Sequence, residues 1–303
     1  MLIFHDPRCV EYSAPGHPER SARITQTVPL LKQRHPDWQW REPRSATDEE
    51  LLRAHSTEHL QRVAKPLRDF DVDTPAYPKI NFYARQSAGA AIEAARAALA
   101  GDRVFVLNRP PGHHAMRDRA MGFSYYGNIA IAALDTLASA KCQSDSQPRS
   151  ATAATTKIDR VAIWDFDAHH GNGTEDIVAH NPQIRFGSIH QFPAYPGTGA
   201  KSFDNIYNYP VPPNAPRAEY MNVCRHALDK LLEWKPDLLL VSAGFDAYMH
   251  DPLVQMTLEQ EDFATFGKWL RDVDVPTAAI LEGGYSDDLP DLIDAFLTAW
   301  ELH

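Results

Sequence analysis

The sequence predicts an α/β fold in which a mostly parallel central sheet is covered by helices on both faces. Three observations carry this expectation. Six short apolar segments read as buried strands, at residues 2–4, 103–107, 161–164, 184–189, 238–241 and 278–281. Helical patterns fall between several of them. Four of the strand segments run directly into clusters of polar and ionisable residues. Strands that are apolar throughout, alternating with helices, belong to a parallel sheet buried on both sides.

The strand segments are too short for helices and are bounded by charged or turn-forming residues. Residues 87–100 (SAGAAIEAARAALA) are alanine-rich with apolar positions at helical spacing, and 128–140, 219–233 and 258–273 behave similarly. Residues 141–157 (KCQSDSQPRSATAATTK) are rich in Ser, Thr, Ala and Gln without a period, and read as a mobile loop. The strand pattern resumes directly after them, so the expectation is one domain over 1–303. No internal repeat is visible.

A chain of 303 residues, 44% hydrophobic and 23% charged, can bury a full core without covalent staples. Its formal charge of -10 argues against nonspecific nucleic-acid binding through a basic surface. Cys9, Cys142 and Cys224 are odd in number and lack CxxC spacing, which argues against a disulfide framework or a cysteine zinc site. The start, MLIFHDPRC, has neither a basic region nor a long apolar one, and no apolar run approaches membrane-spanning length. These features predict a soluble protein of a reducing compartment, with no membrane or nucleic-acid partner.

The chemistry lies just after the strands. Residues 103–107 lead into Asn108-Arg-Pro-Pro-Gly-His113-His114, and 161–164 into Asp165-Phe-Asp167-Ala-His169-His170-Gly171-Asn172. Residues 238–241 lead into Ser242-Ala-Gly-Phe-Asp246, and 278–281 into Glu282-Gly-Gly-Tyr285. Open parallel sheets bind ligands at the carboxyl ends of their strands, so four such clusters reinforce one another. At extended spacing Asp165, Asp167 and His169 would share one face. Asp167, His169 and Asp246 are the candidate metal ligands, because two carboxylates and one imidazole suit zinc with an open fourth position. An Asp at a strand end is by itself more often a cap or turn former; the shared topology reverses that preference for Asp246.

His113 and His114 form a tandem pair behind Pro-Pro-Gly. A neutral imidazole can take a proton from water and return it to a leaving amine, given a partner that holds its tautomer. Asp165 and Asn172 are the available partners. A charged Asp would favour a protonated histidine, and a neutral Asn would leave a base usable near neutrality. The Tyr285 hydroxyl, following two glycines, could donate to a carbonyl oxygen as negative charge develops. Phe123 in Met-Gly-Phe and Tyr195 could wall a channel or simply pack in the core. Most of the 14 histidines read as surface residues, and His35, His180 and His303 carry no role.

These motifs, in their order and spacing, resemble the histone deacetylase and acetylpolyamine amidohydrolase superfamily over nearly the whole chain: GHPERSARI, RPPGHHA, MGFSYYGN, DFDAHHGNGT, SIHQFPAYPGTG, SAGFDA with DPL, and LEGGY. Asn172, where other branches carry Asp, is similar to the class II pattern. The resemblance implies a three-layer arginase-like fold and one catalytic zinc on Asp167, His169 and Asp246. It implies His114 as principal general base and acid, paired with Asn172, and His113 in electrostatic support, paired with Asp165. Tyr285 would polarise the scissile carbonyl, Phe123 and Tyr195 would wall the channel together with Gly122 and Leu253, and Arg23 would lie near its inner end. The residue at position 195 is commonly Phe, so Tyr195 adds a hydroxyl. A structural potassium is also implied, held by backbone oxygens of Asp165, Asp167 and His169 with Ser188 and Ile189.

The expected activity is hydrolysis of an acyl-lysine amide, releasing acetate and a free amine. Three alternatives stand beside it. A dinuclear ureohydrolase would need carboxylates where Gly171 and Gly244 stand. An acetylpolyamine amidohydrolase of the class II branch would carry Glu where Leu253 follows Asp251-Pro252. A silent acyl-lysine binder would replace the catalytic Tyr, which is present. The expectation is a cytoplasmic bacterial enzyme acting on non-histone substrates, with an oligomer possible.

Overall fold

The structure is a computed structural model and describes residues 1–146 and 158–301. Among them, eight strands form one sheet: β1 (Leu2–Phe4), β2 (Gln39–Arg41), β3 (Val104–Val106), β4 (Val161–Asp165), β5 (Ile184–Gln191), β6 (Ile206–Val211), β7 (Leu238–Ala243) and β8 (Thr277–Leu281). Every pairing is parallel, in the order β2-β1-β3-β8-β7-β4-β5-β6. The helices are α1 (Ala22–Thr25), α2 (Thr27–Arg34), α3 (Asp48–Leu52), α4 (Thr57–Ala64), α5 (Ile80–Leu99), α6 (Asn128–Ser146), α7 (Asn172–Val178), α8 (Arg217–Leu232), α9 (Gln260–Arg271) and α10 (Leu289–Glu301).

All six apolar segments are strands. The two strands that sequence reading misses, β2 and β6, are the two edges of the sheet. An edge strand has one neighbour and is covered less, so no apolar run is required of it; Gln39 and Arg41 of β2 are exposed. Successive side chains of the inner strands alternate between faces. Ile3, Phe105, Trp164, Val241 and Leu281 pack in one core with side chains of α2, α8, α9 and α10. Phe4, Val106, Ile163, Leu240 and Ile280 pack in the other with the alanine faces of α5 and α6. The architecture is therefore three-layered.

Local signals place several helix ends. Thr47 and Glu50 form a reciprocal capping box at the start of α3, and Ser56 caps α4 by accepting from His59 N. Helix α6 continues through Ser146, so the first six residues of the expected 141–157 loop are helical. Residues 141–146 hold neither Pro nor Gly, and the first strong helix breaker is Pro148. Residues 147–157, the rest of that expected loop, lie outside the described residues.

The order of the sheet positions the site. Strands β7 and β8, last in the chain, insert between β3 and β4. The four polar clusters thus follow four adjacent central strands, β3-β8-β7-β4, on the same edge of the sheet.

Candidate active site

The extended geometry of β4 ends at Asp165, where Asp167 N turns back to donate to Asp165 Oδ1 at 3.2 Å. Asp165, Asp167 and His169 therefore do not line one strand face, as extended spacing suggested. The turn separates them: Asp165 faces His113 Nδ1, whereas Asp167, 3.7 Å from His113 Nε2, turns with His169 toward Asp246.

The ligand atoms of Asp167, His169 and Asp246 all lie within 4.8 Å of one another and are buried. Both carboxylates brace backbone as well as face His169, and Asp167 Oδ1 also accepts from His169 N at 2.9 Å. Asp246 Oδ1 accepts from Ala168 N at 2.7 Å, and its Oδ2 lies 2.8 Å from His169 Nδ1. Asp167 Oδ2 accepts from Gly283 N at 2.7 Å, and its Oδ1 lies 3.2 Å from the same Nδ1. Burial and the neighbouring Asp167 push the Asp246 carboxyl up to about 7. Desolvated negative charge of this kind is what a divalent cation neutralises, and three convergent O and N donors fit zinc. Gly171 and Gly244, where a second metal would need carboxylates, offer no ligand atom. A Cβ at Gly171 would press on Asp165 Oδ2, and one at Gly244 on Asp167 Oδ2.

The two imidazoles lie 4.0 Å apart between centroids, tilted at 45°, and have different partners. His113 Nδ1 faces Asp165 Oδ2 at 3.2 Å; burial alone would lower its pKa, but Asp167 and Asp165 outweigh it and raise it to about 10. His114 Nδ1 donates to Asn172 Oδ1 at 2.7 Å. Burial first, then the charge on His113, hold His114 well below its ordinary value. The carboxylates thus favour the protonated ring at His113, and burial favours the neutral ring at His114.

Burial holds the Tyr285 hydroxyl well above its ordinary value, so it remains a donor at neutral pH. Its backbone N donates to Asp251 Oδ2 at 2.8 Å, and Arg23 lies over its ring at 5.0 Å from the centroid. Arg23 also donates through Nε to Gly284 O at 2.7 Å. A cavity of about 520 Å³ leads to these groups, lined by Gly122, Phe123, Tyr195 and Leu253 and reaching His114, His169 and Tyr285. Phe123 meets Tyr285 edge-on at 5.7 Å, and Tyr195 meets His114 at 5.2 Å. All candidate catalytic, ligand and channel residues therefore gather in one place. A larger cavity of about 680 Å³, lined by Arg62, Lys65 and Leu67, contains none of them.

Residues 17–299 match the histone deacetylase domain. The chain belongs to the histone deacetylase family. It is 40% identical over 288 residues to an uncharacterized protein of Synechocystis, covering 90% of each chain. It is 33% identical over 302 residues to a probable deacetylase of Methanothermobacter thermautotrophicus, covering 95% of this chain and 86% of the relative. The crystal structure of an acetylpolyamine aminohydrolase from Burkholderia pseudomallei superposes with a TM-score of 0.84 over 99% of this chain and 98% of that one, at 24% identity, a likeness of fold. The family is zinc-dependent, and the fold is the α/β arginase-like one.

Several supports of this deacetylase-family site escaped the sequence reading. Most histidines were expected at the surface, yet His55, His59, His170 and His190, given no role of their own, are buried. His170 links Thr198 Oγ1 at 2.7 Å to Glu175 Oε2 at 3.0 Å, and with His190 it packs against Gly199, fixing the loop that carries Tyr195. Glu19 lies buried between Arg109, which donates through Nη2 to Oε2 at 2.8 Å, and Arg23 at 3.3 Å. Asp251 and Glu282 brace the active-site loops. Their motifs were visible; what was not visible is that these polar groups are enclosed, which depends on packing between distant segments.

Proposed function

We propose that the protein hydrolyses the amide of an acylated primary amine, acyl-lysine of peptides or proteins being the substrate class, with a single zinc ion held by Asp167, His169 and Asp246. The observation that carries this reading is the aromatic-walled channel ending on a neutral imidazole, three convergent ligand atoms and a phenol donor. Phe123 and Tyr195, both in the cavity wall, would flank the substrate's alkyl chain with its amide at the base. A bound zinc supplies Lewis acidity toward water and a carbonyl oxygen.

The chain's own residues do the rest. With Nδ1 donating to Asn172, His114 presents Nε2 as a base and takes a proton from the attacking water. The new C–O bond places negative charge on the carbonyl oxygen, which accepts a hydrogen bond from Tyr285 Oη. His113, held protonated by Asp165, adds positive charge beside it. His114 returns its proton to the amide nitrogen, the C–N bond breaks, and acetate and a free amine leave. A structural potassium belongs to the same proposal: Asp165, Asp167, His169, Ser188 and Ile189 would hold it, and Asp165 stands beside Ser188 in the β4–β5 register.

An acetylpolyamine substrate is the second reading, supported by one carboxylate, Asp73, in the channel lining. Against it, Leu253 offers no charge to a distal ammonium. Turnover of acetyl-lysine peptides and acetylputrescine by the zinc-loaded protein tests the choice. Peptide turnover alone supports the first reading, polyamine turnover alone replaces it with the second, and activity on neither removes both.

A further inference from the structure

Glu282 takes no part in the chemistry above, yet it is fully buried where two catalytic loops meet. It follows β8 directly and precedes Tyr285 by three residues. Its Oε2 accepts from Gly112 N at 2.6 Å and from His113 N at 3.1 Å. Its own backbone is fixed on both sides: N donates to Ala243 O at 2.9 Å, and O accepts from Arg23 Nη2.

We propose that Glu282 is a positioning residue whose carboxylate locks the Gly112–His113 backbone against the Gly283–Tyr285 turn, and so sets the spacing between the His113–His114 pair and the Tyr285 hydroxyl. The inference rests on the amide hydrolysis proposed above, in which those groups act on one carbonyl.

The remaining interactions of the side chain point to the same loop. Oε1 has no hydrogen-bond partner among the described residues, and the carboxylate makes no ion pair there with Lys or Arg. The cation that acts on it is the His113 ring, carried by the same loop, so its charge also bears on the backbone it holds. The backbone it holds has no slack: a Cβ at Gly112 would run into Asn128, whose side-chain amide also donates to Pro110 O at 3.2 Å. Gly283 is similarly pressed against the Asp167 and Asp246 carboxylates. With both loops packed on their far sides, Glu282 is the side chain that joins them. Sub-ångström errors in such spacing reduce turnover more than binding.

Glu282→Ala removes the acceptor, and Glu282→Gln keeps an amide oxygen able to accept both N–H groups. Amide hydrogen exchange over residues 107–116 reads the lock directly, without substrate. Steady-state kinetics with bound zinc measured reads its effect. In Glu282→Ala, exchange at Gly112 and His113 is expected to rise about tenfold or more. Its kcat is expected to fall roughly tenfold or more, with KM within about twofold and zinc content unchanged. Glu282→Gln is expected to restore protection and most of kcat. Should the alanine variant not fold, Glu282→Asp, one methylene too short to reach both donors, replaces it with the same expectations. Unchanged exchange and kcat in the alanine variant overturns the proposal, as does a glutamine variant equally impaired or a kcat loss matched by zinc loss. If the wild-type protein hydrolyses no acylated amine, the functional reading fails while the exchange measurement still decides the lock.

Discussion

His114 Nδ1 donates to Asn172 Oδ1 at 2.7 Å, a neutral partner for a buried imidazole, while the neighbouring His113 ring, 4.0 Å away between centroids, faces a carboxylate. The amide fixes the tautomer without stabilising the protonated ring. Asn172→Asp would add a negative charge at that contact and raise the pKa of His114, by roughly 1–3 units. A base must be unprotonated to act, so the acidic limb of the kcat/KM profile is expected to move to higher pH. A profile that does not move would remove His114 as the base.

Tyr285→Phe deletes one hydrogen-bond donor and no metal ligand. Zinc content should stay at the wild-type value while kcat falls by ~10²–10³, the usual cost of losing an oxyanion donor. Wild-type turnover in this variant would exclude Tyr285 from the mechanism.

Metal stoichiometry distinguishes one catalytic metal from two. The close approach of Gly171 and Gly244 to the carboxylates of Asp165 and Asp167 leaves three convergent ligands. Elemental analysis of the zinc-saturated protein is expected to give about one zinc per chain. Asp246→Ala should lose it, and chelation should abolish activity reversibly. Two tightly held zinc ions would refute the mononuclear site.

The buried histidine His55 makes stability depend on pH. Its Nε2 accepts from Gly127 N at 2.9 Å, while Nδ1 donates toward Met116 O at 3.1 Å, so the folded protein needs the neutral ring. Burial, then its neighbour His59, lowers its pKa from 6.5 to about 3. Below pH 6.5 the unfolded chain binds a proton that the folded one does not. Stability is therefore whole above 6.5 and falls on acidification toward 3, by at most about 1.4 kcal/mol per pH unit from this group. Urea unfolding at pH 7.5 and 5.0 should show the fall, with a smaller difference between the two pH values in His55→Asn. An equal difference in both proteins would rule His55 out as its source.

Glu19 and Arg109 form a buried ion pair that ties the N-terminal segment to the loop of His113. Glu19→Gln leaves a buried guanidinium without its counter-charge and should destabilise folding by roughly 3–5 kcal/mol. A loss below about 1 kcal/mol, read from the chemical unfolding midpoint, would show that the pair is open to solvent.

The inner strands were legible because burial on two faces forces an uninterrupted apolar run, and those runs pointed to the loops that follow them. Edge strands such as β2 carry no such signal. Helix α6 outran its periodic pattern because nothing in residues 141–146 stops a helix. Site residues were legible for a related reason: ionisable side chains directly after a buried strand need a purpose, as Asp165-Phe-Asp167-Ala-His169 shows.

By itself, the sequence determined the fold class, the strands of the core, the identity of the metal-ligand and imidazole candidates, and the family. Tertiary structure decided which of those groups meet. The insertion of β7 and β8 between β3 and β4 brings Asp246 beside His169, 77 positions earlier, and the Tyr285 turn beside Asp167, where Gly283 N donates to Oδ2 at 2.7 Å. It also decided which polar groups are enclosed, His55, Glu19 and Glu282 among them. Burial is a property of what packs around a residue, and those neighbours come from segments that local sequence does not bring together.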